Sequence, residues 1–215
     1  MKNLLFLLLP CALIAQQKED QNVVQGQDLL MTRKAASPTI VDGSPYIQND
    51  YVPGHLANNA KNHQLRYNAY TDDIEFKQNG EILIANKIPG QKFIFKSGET
   101  YTTLHYSLDG NVSSLGYLVE LVSNPEKYSL YKKQSVKKID ALEGLNSYQS
   151  SKNSYYEKQK DQYLILHNGN YYTLPSSIRK MEGEYKDMAA KFNKQNNLKL
   201  NDESLTLFVN WLNSK

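Results

Sequence analysis

The chain has 215 residues, 25 Lys+Arg against 22 Asp+Glu, and a formal net charge of +3. Its lysines and carboxylates are interspersed, which excludes the one-signed field of a nucleic-acid surface. A lone cysteine excludes a disulfide framework, and this length is enough to bury one sizeable core.

Met1-Lys2-Asn3 is followed by a run from Leu4 to Ala15 that is apolar apart from Pro10. A charged start and an apolar stretch of about 11 residues read as a secretory signal peptide over residues 1–15, cut after Ala15; a membrane span needs about 20. Leu13, two positions before Ala15, is larger than ideal. Cys11 follows Pro10 and the apolar run continues past it, so lipidation is not expected there. Residues 16–37 are polar and read as a flexible N-terminal arm, because such a segment cannot offset its ordering entropy by burial. Within it, Asp28 to Lys34 suits either a short helix or an added strand.

Gly43-Ser44-Pro45-Tyr46 through Val52-Pro53-Gly54-His55 reads as an ordered extended path, since each proline fixes its own φ and biases the residue before it. Gly54–Gln64 reads as a polar loop. Alternating segments then begin: Leu65 to Tyr70, and Asp73-Ile74-Glu75-Phe76-Lys77. The Gly-Ser-Pro-Tyr, Pro-Gly and Arg66-Tyr67-Asn68-Ala69-Tyr70 stretches, with the acidic hairpin after them, resemble a family of exported proteins of flavobacteria and their relatives. The similarity extends into the C-terminal tail. It implies export and a β-rich fold and brings no activity or catalytic residue with it.

Further alternating segments are Ile82–Ile84, Lys92–Phe95, Thr100–Tyr106, Gly116–Val122, Lys127–Lys132, a short strand within 137–142, Tyr155–Lys158, Gln162–His167 and Asn170–Leu174. Period-two alternation gives each strand one core face and one wet face. Turn chemistry separates them at Thr71-Asp72, Asn79-Gly80, Pro89-Gly90, Ser97-Gly98, Asp109-Gly110, Asn124-Pro125-Glu126 and Asn168-Gly169, and residues 143–153 read as a loop. Lys132-Lys133 and Lys137-Lys138 read as a solvated side of a strand pair.

After Pro175 the period changes. Ile178, Met181, Tyr185, Met188, Ala189 and Phe192 form one helical stripe, with Ser176 or Ser177 as cap and Gly183 as a plausible break. A second helix starts at Asn201, with Asp202 and Glu203 in its first turn and Leu205, Phe208, Trp211 and Leu212 as its buried stripe. The expected fold is α+β: an antiparallel meander, or a partly open barrel or curved sheet, over 38–174. Residues 175–215 add two helices packed on it within the same domain.

The sequence offers little local chemistry. His55, His63, His105 and His167 form no metal-ligand spacing, and solvated loop positions suit the first two even with Asp50 nearby. Asp72 and Asp73 suit a turn, Asp109-Gly110-Asn111 lacks the rest of a calcium loop, and neither a nucleophile elbow nor a phosphate loop occurs. No catalytic residue, metal ligand or cofactor is therefore expected, and no transmembrane segment in the processed chain. The 16 tyrosines suit an exposed sheet face, with Tyr67, Tyr101, Tyr117, Tyr128 or Tyr171 as its contact surface depending on register. The expected function is non-catalytic binding or scaffolding of a protein or glycan in the periplasm or at the cell surface. The rivals are a secreted hydrolase using His105, Asp109 or Glu120, and an assembly or immunity module recognised by strand addition.

Overall fold

The computed structural model describes residues 32–34, 41–108, 113–141 and 153–215. The expected leader, most of the expected N-terminal arm, the expected Asp109-Gly110 turn and the expected loop over 143–152 lie outside the described residues. The first strands are β1 (Thr32–Lys34), β2 (Val52–Leu56), β3 (Asn59–Asn68), β4 (Asp73–Gln78) and β5 (Glu81–Ala85). Next come β6 (Lys92–Phe95), β7 (Thr100–Tyr106), β8 (Ser114–Val122) and β9 (Tyr128–Lys133). Then follow β10 (Val136–Ile139), β11 (Tyr155–Lys158), β12 (Gln162–His167) and β13 (Asn170–Thr173). The helices are α1 (Gly183–Asn193) and α2 (Asp202–Asn213), preceded by a single 3₁₀ turn, Ile178–Lys180.

Among the described residues, eleven strands make one antiparallel sheet in the order β1-β5-β4-β3-β2-β6-β7-β8-β9-β12-β13, and β10 and β11 pair separately. The sheet does not close; β1 and β13 are its edges. Part of the arm is thus strand: Thr32–Lys34 pairs with Ala85–Leu83 of β5, whose edge backbone groups would otherwise lack sheet partners. The expected loop over 54–64 is instead the β2–β3 hairpin, with His63 opposite Gly54. Polar composition misled there because these strand positions are mostly outward or half-buried.

Two short turns follow the expected chemistry. Asn79-Gly80 has φ values of 52° and 82°, and Asn168-Gly169 has 49° and 77°. Positive φ at both central residues is the two-residue hairpin geometry whose twist matches the flanking strands.

The larger core lies on one face of the sheet, with Leu65, Tyr67, Phe76, Phe93, Phe95, Tyr101, Tyr117 and Val119 among its residues. Ile47, Val136 and Tyr156 also pack against it, so the segment before β2 and the β10–β11 pair cover its ends. A second core lies between β9, β12 and the helices: Leu130, Tyr163 and Ile165 meet Met181, Tyr185, Phe192, Leu205, Phe208 and Leu212. A bulge in β8 between Glu120 and Val122 shifts its register on β9. Bulges sharpen local twist, and Leu121 beside this one touches both cores.

The first helical stripe is interrupted where the glycine was expected to break it. Met181 is extended (φ −63°, ψ 143°), and Gly183 opens α1 at φ 57°. At the second helix, the Asn201 side chain accepts from the Ser204 amide at 2.9 Å. Lys132 donates to Asp202 at 2.6 Å and the Tyr163 hydroxyl donates to the same carboxylate at 2.8 Å, tying the start of α2 to β9 and β12.

Candidate functional site

Register places the aromatic side of the sheet inward. Tyr67, Tyr101 and Tyr117, expected on an outer contact surface, are 3%, 4% and 1% exposed. They share a face with Leu65, Phe93 and Val119, and their hydroxyls are used internally. Tyr67 donates to Asp72 at 2.8 Å, Tyr101 to Gln134 at 2.8 Å and Tyr117 to the Ala85 carbonyl at 3.5 Å. Burial, with Asp72 beside it, holds the Tyr67 hydroxyl well above the usual phenol range. Tyr128 and Tyr171 are half-buried.

The lysine pair at 132–133 also departs from expectation. Both are buried, because β9 is a central strand with a helix on one face and the turn at Asp72 against its end. Lys133 donates to Asp72 at 2.5 Å, to the Tyr67 hydroxyl at 3.2 Å and to the Tyr117 carbonyl at 3.2 Å. Burial lowers its ammonium pKa, and Asp72 offsets part of that. Asp72 stands at φ 57° in the turn between β3 and β4 and also takes Lys87 at 3.1 Å and the Tyr117 amide at 3.3 Å. A Cβ on Gly116 would collide with its Oδ2, so glycine there is what lets the carboxylate approach. A second ion pair joins Arg66 and Glu75 at 2.7 Å, with the guanidinium between the Tyr46 and Tyr51 rings at 3.5 and 4.2 Å. These charges tie neighbouring elements of the fold together.

The hydrolase candidates are not assembled. His105 is exposed on β7, and alternation along the β7–β8 ladder puts Glu120 on the other face. There Lys92 donates to both Glu120 oxygens at 2.8–2.9 Å. Asp109 lies outside the described residues. Among the described residues no group of three or more His, Cys, Asp or Glu is placed to hold a metal ion, and no helix is long and apolar enough to cross a membrane.

A roomy concavity lies elsewhere, between the β9–β12 end and the two helices. It is an open cleft with a volume of about 520 Å³, lined by Lys127, Tyr128, His167, Met188, Lys191, Trp211, Leu212 and Lys215. That volume falls within the roughly 300–1,000 Å³ typical of small-ligand sites. A smaller concavity of about 280 Å³ lies over β2 and β6, beside His55 and Lys96.

Each wall of the larger cleft has a local cause. Tyr128 and His167 are register partners across β9 and β12, so their rings stack at 4.0 Å and 14°. The His167 Nδ1 lies 2.9 Å from the Lys127 carbonyl, which fixes the imidazole plane. The Asn213 amide accepts from the Tyr128 N–H and donates to the Tyr128 carbonyl, both at 2.9 Å, pairing with β9 as another strand would. Lys127 donates to the Asn213 carbonyl at 2.8 Å, meeting an orphan acceptor at the end of α2. Trp211 packs edge-on to Phe192 at 5.8 Å, which sets the gap between the helices. Partial burial, then Glu184, raises the Tyr128 hydroxyl pKa.

Sequence reading found Met188, Trp211 and Leu212 as stripe residues and Tyr128 as a surface candidate. It missed that they meet. The eight lining residues come from four separate parts of the chain, and only the packing of α1 and α2 on β9 and β12 unites them. No family model matches this sequence, and no curated protein and no solved structure matches it.

Proposed function

We propose that the protein is exported, loses residues 1–15, and acts in the periplasm or at the cell surface as a non-catalytic binding protein. The cleft between β9, β12 and the helices is its ligand site. One observation carries this reading: a cleft of about 520 Å³ lined by the apolar side chains of Met188, Trp211 and Leu212 together with Tyr128, His167 and three lysines. The leader pattern and the resemblance to exported flavobacterial proteins support the location. The dispersal of His105 and Glu120, each on its own sheet face, weighs against the hydrolase alternative. The strand-addition alternative has β13 as an edge, but four residues offer a short template.

The test expresses the full chain with its leader and determines the mass of the exported form. The protein is then exposed to small-molecule extracts of the cell envelope and examined by native mass spectrometry. A retained small molecule that is lost in a folded Met188→Glu variant is expected. An empty protein, or retention unaltered by the variant, overturns the reading.

A further inference from the structure

We propose that the cleft takes an amphiphile with an anionic head and a single alkyl chain, an inference that rests on the cleft being the binding site. Three lysines line it, Lys127, Lys191 and Lys215, and no Asp or Glu side chain does. They come from the turn before β9, the last turn of α1 and the residues after α2, so no single local element accounts for their meeting. Helix ends attract cations for their own sake. Lys127 already meets that need at α2 through Asn213. Lys191 is exposed, and Lys215 stands 5.2 Å over the Trp211 ring. A lysine ammonium offers three donors, so Lys127 retains capacity beyond its one bond.

The floor sets the other half of the ligand. Met188 is unbranched and adapts to an irregular apolar surface; Trp211 and Leu212 continue it. The Tyr128–His167 stack forms one flat wall. The head belongs among Lys127, Lys191 and Lys215, and the chain lies over Met188, Trp211 and Leu212. A cleft of about 520 Å³ has room for one short alkyl chain.

Trp211 is the chain's one tryptophan, so its fluorescence reports occupancy without a label. The full-length exported protein is titrated with submicellar laurate, 1-dodecanol and dodecyltrimethylammonium, three probes that share a tail and differ in head charge. Laurate is expected to bind about tenfold or more tightly than the alcohol, the scale of one charge-assisted hydrogen bond; the cation should bind weakest. Lys191→Glu, with folding checked by circular dichroism, should remove most of the preference for laurate over the alcohol. Equal affinity for laurate and dodecanol overturns the anionic assignment while leaving the cleft as a binding site. A response to anionic vesicles but not to laurate also overturns it, in favour of a membrane surface. No response to any probe overturns it as well, and retention of envelope small molecules then decides separately whether the cleft binds at all.

Discussion

Asp72 shows how much one turn residue holds. Its carboxylate gathers Lys133, Lys87, the Tyr67 hydroxyl and the Tyr117 amide, joining the β3–β4 turn to β8 and β9. Removing one partner of a buried pair leaves the other charge unsatisfied, at a cost of about 3–5 kcal/mol when burial is complete. Here Asp72 is 23% exposed at the side chain and keeps Lys87, so Lys133→Met is expected to cost less, about 1–3 kcal/mol. Urea unfolding measures it. Asp72→Asn retains a residue that tolerates the left-handed turn. The double variant should therefore be less destabilised than the sum of the singles, with a coupling of about 1 kcal/mol or more. Strict additivity would mean that the two groups are neighbours without being partners. None of this was legible in sequence. Lys132-Lys133 looks like solvated charge, and only the tertiary packing that brings the end of β9 against the turn at Asp72 makes Lys133 a buried cation.

At the scale of elements the sequence was far more readable. Most strands and both helices fall where alternation and the 3.6-residue stripe put them, because each signal is local. Asn168-Gly169 and Asn79-Gly80 act through their own φ values, whatever surrounds them. The Asn201 cap is of the same kind: its side chain meets one orphan amide at the start of α2. Asn201→Ala is expected to lower stability by about 1 kcal/mol, and Asn201→Asp to retain most of it, read as shifts in the urea midpoint at constant slope. The hairpin of β2 and β3 was hidden because Asn58, Asn59, Asn62 and His63 lack an apolar face. Pairing with β6 on one side and β4 on the other makes that stretch part of the sheet all the same. The cleft was hidden for a different reason. Its residues are individually ordinary, and its existence depends on the angle at which α1 and α2 rest on β9 and β12.

The whole molecule carries one electrostatic consequence of its tyrosine content. Alternation could not say which sheet face the rings take, since a slip of one residue exchanges the faces; the structure puts many of them inside. Burial is the first cause of a raised pKa at Tyr51, Tyr67, Tyr101, Tyr106, Tyr163 and Tyr185, and it pushes Tyr171 up to about 12. Below pH 10 these groups are protonated in both folded and unfolded chains and add no slope. Above pH 10 the unfolded chain releases phenolic protons that the folded chain retains, so stability falls with rising pH until the folded values are reached. Lys133 has the opposite sign. Burial lowers its pKa from 10.5, so between its folded and unfolded values the unfolded chain binds the extra proton and stability rises with pH. A tenfold change in any one group's proton affinity on folding is worth about 1.4 kcal/mol. One lysine acts against several tyrosines, so the tyrosines dominate. The urea midpoint should therefore change little between about pH 7 and 9 and fall steeply from about pH 10. Tyrosinate absorbance should rise in two stages: an early one from rings at the surface, and a later one coincident with loss of β-sheet circular dichroism. A folded sheet in which every tyrosine titrates near 10 would mean that the rings are not in the core.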